Sequence, residues 1–425
     1  MGPPVILVCG QDPLVGRSGH PSFTRAQARG ARLAGFDPHI FCTGAPVGTR
    51  EDDFGTVHRV GLSRLRQMTR SHALGLNKSF LGVDGPRLAT AIARFASGET
   101  AHRGPFLIHS VSTWGYAGVL GAAKLRQAGL TALTVNTVYT TMRHELDAKV
   151  RGLPARAPLR SHLYFRGERL WARAKIIGYE RRAYQESDLI AVNYESVRRL
   201  FLAEYGAGAP IERLPYAAES AFLREPLGER PPAPPELARL EPADAPLIVS
   251  VSRHDPRKGM NVLLHALAEL RRGGGRFRAC LTSGGHLLEQ HRELLKRLDL
   301  GLTTVLTGWV PDPFPYLRHA DVYVLPSLQE GSGSLALLEA LQAGPAVVAS
   351  GIDGIPEDVT DGDSALLVPA GQPTALAGAL ARVLADTELR KRMGRRARET
   401  FVERFSAGAF AAGLRRAWAA LGFPG

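Results

Sequence analysis

The sequence predicts an α/β chain built as two doubly wound domains, and three observations carry that prediction. Apolar, strand-like segments alternate with helical ones along most of the 425 residues. The alternation breaks at 224–245, REPLGERPPAPPELARLEPADA, and then restarts. The length is about twice that of an ordinary single domain. Strand–helix alternation argues for parallel sheets with helices on both faces.

Taken in order, VILVC at 5–9 is an apolar strand, 22–34 has helical spacing, and 37–42 is a second strand. Residues 106–109, 131–135 and 189–192 repeat the strand pattern, with a helix over 114–128. The proline- and charge-rich stretch 224–245 reads as a flexible linker. After it come PLIVSVSR at 246–253, a helix at 259–272, a strand at 277–283, a helix at 286–299 and a strand at 303–307. Further apolar strands lie at 321–325 and 346–349. The expected division is a domain over 1–223, the linker 224–245, a second domain over 246–404, and a terminal helix at 405–425.

Composition narrows the function classes. Hydrophobic residues make up 44% and charged residues 22%, as in a soluble globular protein. No apolar run approaches the roughly 20 residues of a membrane span. The N-terminus, MGPPVILVCGQDP, has neither the basic start nor the long apolar run of a secretory signal. Cys9, Cys42 and Cys280 sit in strand-like surroundings without metal or redox spacing, and read as buried hydrophobes in a reducing compartment. A cytoplasmic protein is expected.

The formal charge is +13, nearly all of it arginine. That balance favours phosphates or an anionic membrane. There is no nucleic-acid motif or stacking pattern, so no nucleic-acid partner is expected. Residues 142–182 are helical, basic and studded with aromatics. They read either as an ordinary helix pair with solvated arginines or as a surface for an anionic acceptor or the inner membrane face. The turn after the first strand, CGQDPLVGRSGH, does not fit G-x-G-x-x-G, which disfavours a nicotinamide dehydrogenase. No G-x-x-x-x-G-K-[ST] loop occurs, which removes the phosphate-loop kinases and ATPases.

Two stretches carry chemistry. In QEGSGSLALLEALQAG, 329–344, Glu330 and Glu339 bracket a glycine-rich turn and an apolar run. Ser334 can cap a helix starting at Leu335, and Gly344 with Pro345 stops it. The amides of Gly331, Ser332, Gly333, Ser334 and Leu335 then form a positive cup suited to phosphate or a sugar hydroxyl. A carboxylate on either side can accept from hydroxyls. Alone, the stretch reads equally as an acidic helix start with a solvent-facing glutamate. In VSVSRHDPRKG, 249–259, Arg253 and Lys258 span a strand-to-helix turn. Both can reach one diphosphate, the arginine as a fork and the lysine as a point charge.

Together these pieces resemble the retaining glycosyltransferases of family 4 over nearly the whole chain. The resemblance implies the GT-B fold, two Rossmann-like domains facing a cleft, with the 405–425 helix crossing back to the first domain. It implies transfer of a hexose-type sugar from a UDP- or GDP-sugar to a hydroxyl acceptor in bacterial glycan, glycolipid or natural-product synthesis. Arg253 and Lys258 correspond to the family's pyrophosphate-binding cations, Glu330 to the residue on the donor sugar, and Glu339 to the residue on the ribose. GWVPD at 308–312 resembles the base-binding turn, with Val310 meeting the base through its backbone. Gly16 and Gly19 are candidates for the family's glycine loop. GIDGIPEDVTDGDSALLVPAG, 351–371, resembles the segment that follows the second glutamate. The family's catalytic histidine position aligns with Asn136, leaving His109 and His144 as candidates, His109 preferred. No metal and no cofactor are expected, because the diphosphate leaves against cations and no Asp-x-Asp pair borders a strand.

The chain also departs from the pattern. Eight residues separate Glu330 and Glu339, one more than is usual, and the extra residue lies in GSGS. TSGGH at 282–286 replaces a glycine–acid–glycine turn. The competing readings are a sugar-nucleotide epimerase or phosphorylase of the same fold, or a non-catalytic sugar-nucleotide-binding protein.

Overall fold

The computed structural model describes residues 2–15, 19–61, 80–98, 104–153 and 159–424. The chain forms two compact units. The first holds Met1–Glu145, Arg166–Phe222 and Ser406–Gly425, and the second holds Leu146–Phe165 and Leu223–Phe405.

The first unit contains β1 (Pro4–Val8), β2 (Asp37–Thr43), β3 (Gly48–Asp52), β4 (Gly55–Val60), β5 (Phe106–Val111), β6 (Ala132–Val138), β7 (Leu189–Val192) and β8 (Ile211–Arg213). Their order is β3-β4-β2-β1-β5-β6-β7-β8, parallel except for the β3–β4 hairpin. Successive residues of β1 face opposite sides. Val5 and Leu7 pack with Phe410, Leu414 and Trp418 of the helix Ala407–Ala419. Ile6 and Val8 pack with Leu88, Ile92 and Leu125. Burial on both faces explains why the central strands read as continuous apolar runs.

The second unit contains β9 (Leu247–Val251), β10 (Arg278–Thr282), β11 (Thr304–Gly308), β12 (Val322–Leu325), β13 (Ala346–Ser350) and β14 (Leu366–Val368), in the order β11-β10-β9-β12-β13-β14, all parallel. Its core joins Ile248, Leu281, Val324 and Val348 to Leu263 and Leu267 of the helix Met260–Arg272.

Three expectations need correction. Residues 224–245 are not a free linker, because they pack on the second unit. Glu225 forms a forked pair with Arg398 at 2.5 and 2.6 Å, Arg224 pairs with Asp312 at 2.6 Å, and Leu237, Leu240 and Ala245 are buried. A proline-rich segment has little chain entropy left to lose, so a few contacts suffice to fix it. Residues 146–165, expected in the first domain, group with the second unit. The β3–β4 hairpin has no counterpart in the sequence reading, since β3 is almost wholly exposed and neither strand carries an apolar run.

Candidate functional site

The site grows from two neighbouring strands. In the second unit, β9 runs on to β10 on one side, and the chain returns to its other side as β12. Val322 and Tyr323 lie beside Ile248 and Val249. The crevice at the carboxyl ends of two such strands, where strand order reverses, is where open parallel sheets hold ligands.

The turn after β9 is built residue by residue. The Asp255 carboxylate accepts from the Arg257 amide at 3.1 Å, and Pro256 opens the short turn Pro256–Lys258. Gly259 closes it in the left-handed region at φ 65°. A Cβ at Gly259 would lie 1.9 Å from the carbonyl oxygen of Pro326. Only glycine lets the backbones of the two turns approach this closely. The Arg257 carbonyl then accepts from the amides of Leu328 (2.7 Å) and Gln329 (3.2 Å).

This stitching brings Lys258 to Glu330, where the two form an ion pair. The Glu330 carboxylate also accepts from the Ser327 hydroxyl at 2.5 Å. The Glu330 and Gly331 amides donate to Asp353 at 2.7 and 2.8 Å. Asp353 itself sits at φ 48°, a conformation that aspartate tolerates better than most side chains. Burial lowers the Lys258 pKa and the neighbouring Arg257 and Arg253 push the same way, while Glu330 opposes them. Burial works to raise the Asp255 pKa, but Arg257 and Arg253 bring it below the usual carboxylate value. Arg253 is exposed and makes no ion pair among the described residues.

Ser334 caps the helix Leu335–Ala343, its hydroxyl accepting from the Leu337 amide, and Gly344 ends it in the left-handed region at φ 88°. Both ends match the sequence expectation. The amides of Ser332, Gly333, Ser334, Leu335 and Ala336 donate to no protein acceptor among the described residues. A helix start with five undonated amides, next to the Lys258–Glu330 pair, has the chemistry that suits an anion. Glu339, half-buried, stands in the second turn of that helix.

The ends of β10 and β11 join this edge. The Ser283 amide donates to the Gly308 carbonyl at 2.7 Å, and Val310 follows β11 half-buried. A Cβ at Gly285 would lie 2.4 Å from the His254 backbone, so the TSGG turn lies directly on the residue after Arg253. His254 meets His291 through their Nδ1 atoms at 2.7 Å. Burial holds the two imidazoles at about 3 and about 4, so both are neutral near pH 7.

In the first unit the sequence candidates fare differently. His109 is a correction. It lies in β5, fully buried, with Nε2 2.7 Å from the Thr137 hydroxyl and Nδ1 accepting from the Trp418 indole at 3.1 Å. Burial lowers its pKa to about 3. A neutral histidine with both nitrogens occupied in the core does not touch a substrate. Asn136 is likewise buried and donates to the Ser112 carbonyl at 3.1 Å. His144 is half-buried near the start of the helix Met142–Arg151. Gly19 opens the helix Gly19–Leu33, and Gly16 lies outside the described residues. Sequence reasoning missed Ser327, Asp353 and Gly259. A glycine directly after the lysine was the one available signal.

Residues 238–400 match the family described as Glycosyl transferases group 1. Over this stretch the chain is similar to the group 1 glycosyltransferases. The stretch contains Arg253, Lys258, Val310, Glu330 and Glu339, the whole edge just described. The lipopolysaccharide core biosynthesis glycosyltransferase LpsE of Rhizobium meliloti is 34% identical over 169 residues, covering 39% of this chain and 47% of that protein. The GDP-mannose-dependent alpha-(1-6)-phosphatidylinositol monomannoside mannosyltransferase of Mycolicibacterium smegmatis is 29% identical over 226 residues, covering 50% and 57%. The chain thus spans about half the length of the curated relatives it matches. Sucrose-phosphate synthase from Thermosynechococcus elongatus shares the fold, with a TM-score of 0.71 over 99% of both chains at 20% identity. The fold is GT-B.

Proposed function

We propose that this protein is a retaining glycosyltransferase that moves a hexose-type sugar from a UDP- or GDP-sugar to a hydroxyl acceptor, in the cytoplasm and without a metal or other cofactor. One observation carries the reading. Lys258 pairs with Glu330 just ahead of a helix start with undonated amides, and the exposed Arg253 lies on the same turn as Lys258, in a stretch that matches the group 1 glycosyltransferases. In the transfer, the bond from the anomeric carbon to the diphosphate oxygen breaks, and a bond to the acceptor oxygen forms on the same face. The acceptor proton passes to the departing diphosphate. Arg253 and Lys258 take up the charge that develops on that leaving group, and Glu339 accepts from the ribose. Glu330 holds Lys258 and turns a carboxylate edge to the donor sugar. The same two cations replace the charge neutralisation that a metal would otherwise supply.

The reading is tested with a panel of UDP- and GDP-sugars by calorimetry, followed by the configuration of the product linkage by NMR. Saturable binding of one nucleoside class and a product with the donor's anomeric configuration are expected, with transfer persisting in excess chelator. An inverted linkage would overturn the retaining assignment, and activity recovered only on adding Mn²⁺ or Mg²⁺ would overturn metal independence.

A further inference from the structure

We propose that Gly152 is a positioning residue for the cationic turn. Through the Pro256 backbone it sets where Arg253 and Lys258 stand, and so how well they grip a diphosphate. This role rests on the reading of that turn as the diphosphate site. Residues 146–153 come from the first half of the chain, yet they group with the second unit, as do Arg253, Pro256 and Lys258. The Gly152 amide donates to the Ala148 carbonyl at 2.8 Å. A Cβ at Gly152 would lie 2.7 Å from the Pro256 carbonyl oxygen and 2.9 Å from the carbon that bears it. Both are backbone atoms, so neither can swing aside as the end of a long side chain does. Leu146, Ala148 and Leu153 are buried, which leaves the stretch little room to retreat. A second link is electrostatic. Burial works against the charge on Asp255, and Lys149 joins Arg257 and Arg253 in keeping it ionised. Asp255 is the residue whose carboxylate caps the turn.

The turn is thus braced at two places. Gly152 meets it at Pro256, and Gly259, just past Lys258, meets the Pro326 carbonyl. The Asp255 amide donates to the Arg253 carbonyl at 2.8 Å, and the Lys258 amide donates to the Asp255 carbonyl at 3.0 Å. Both cations therefore hang on the backbone around Pro256. So short a turn, held at both ends, has little conformational freedom left, and Lys258 reaches Glu330 from a fixed place. Cations that act on a ligand need such support from the residues packed behind them. A methyl group at 152 must drive the turn and the 146–153 stretch apart by a few tenths of an ångström. Since a misplacement of about 1 Å can cost about 10²-fold, this smaller shift should be felt as a several-fold loss of grip.

The test is calorimetry of the full chain with inorganic pyrophosphate, UDP and GDP, well below the melting transition. Wild type is compared with Gly152→Ala, Gly152→Val and a control, Gly275→Ala. In the control a Cβ would lie 2.7 Å from the Leu270 side chain and 2.9 Å from its carbonyl oxygen, past the far end of the helix Met260–Arg272. Gly152→Ala should weaken pyrophosphate roughly threefold and Gly152→Val about tenfold or more, with a matching loss for whichever nucleotide binds. Gly275→Ala should lower the melting temperature and bind like wild type. Gly152 variants that melt earlier but bind pyrophosphate like wild type overturn the proposal, because Gly152 then serves packing alone. An equal loss of binding in Gly275→Ala overturns it too, because the effect is then general destabilisation. A wild type that binds neither pyrophosphate nor either nucleotide overturns the diphosphate reading of the turn itself, a failure distinct from the other two. If Gly152→Val does not fold, Gly152→Ala decides, read by pyrophosphate affinity and by amide exchange at Lys258. Weaker binding with faster exchange is expected, and wild-type values of either overturn the proposal.

Discussion

Each unit reverses its strand order beside its first strand, at β1 between β2 and β5 and at β9 between β10 and β12, yet the two reversals are furnished in opposite ways. At β9 the edge is charged. Arg253 is exposed, Lys258 and Glu330 are paired, and five amides have no protein acceptor among the described residues. At β1 the described edge is filled. Gly10 lies against the Trp114 indole, where a Cβ would come within 1.9 Å of the ring. Asp12 is buried against Arg59 at 2.6 Å, and β5 beside it carries the sealed His109. Parallel topology offers a crevice in both units, but side chains decide whether aromatic packing closes it or cations and amides hold it ready for an anion.

The largest effect should come from the charged edge. Arg253→Ala and Lys258→Ala should each lower turnover by on the order of 10²-fold, because each removes a cation from the leaving group. Initial rates at saturating donor measure this, and near-normal rates in both variants would place the chemistry elsewhere.

A smaller effect divides the two glutamates. Glu339→Gln should weaken the bare nucleoside diphosphate by about 1–3 kcal/mol in calorimetry, as for a lost charged hydrogen bond. Glu330→Gln frees Lys258 from its ion pair, so the bare diphosphate should bind at least as tightly as before while transfer falls. If Glu330→Gln weakens the bare diphosphate as much as Glu339→Gln does, the lysine pairing is not what Glu330 contributes.

The filled edge should respond through stability alone. His109→Ala leaves the Trp418 indole and the Thr137 hydroxyl without their buried partner, a cost of about 1–3 kcal/mol in denaturant unfolding. Turnover per folded molecule should match wild type. A tenfold or larger fall in turnover at full folding would restore His109 as a catalytic candidate.

The smallest effect is a pH slope at the charged edge. His254 and His291 titrate at about 3 and about 4 in the folded chain, below the usual 6.5. As pH falls below about 6.5, the unfolded chain takes up their protons first. Stability present above that pH is therefore lost progressively toward pH 4. His291→Asn should flatten the decline of melting temperature across this window, and an unchanged slope would show that other groups drive it.

Much of the second unit was legible from local signals. Strand–helix alternation, the Ser334 cap and the Gly344 stop depend on neighbours a few residues away, where periodicity and capping chemistry operate. Arg253, Lys258, Glu330 and Glu339 were legible as residue types in sequence order. Their arrangement was not. Lys258 meets Glu330 because the Gly259 backbone touches Pro326, and Asp353 fixes the Glu330 turn from more than twenty residues away.

The same limit explains the errors. His109 looked available because it ends an apolar run, but Trp418, more than three hundred residues later, covers it. Residues 224–245 looked free because composition reports flexibility in an isolated chain, whereas Arg398 and Asp312 hold them in the folded one. By itself the sequence determined the apolar strands, many of the helices, the caps of the helix after Ser334 and the inventory of charges, because those follow from short-range geometry. Only the tertiary structure decided which charges meet, which histidine is sealed and which edge stays polar, because burial and pairing depend on segments that are distant along the chain.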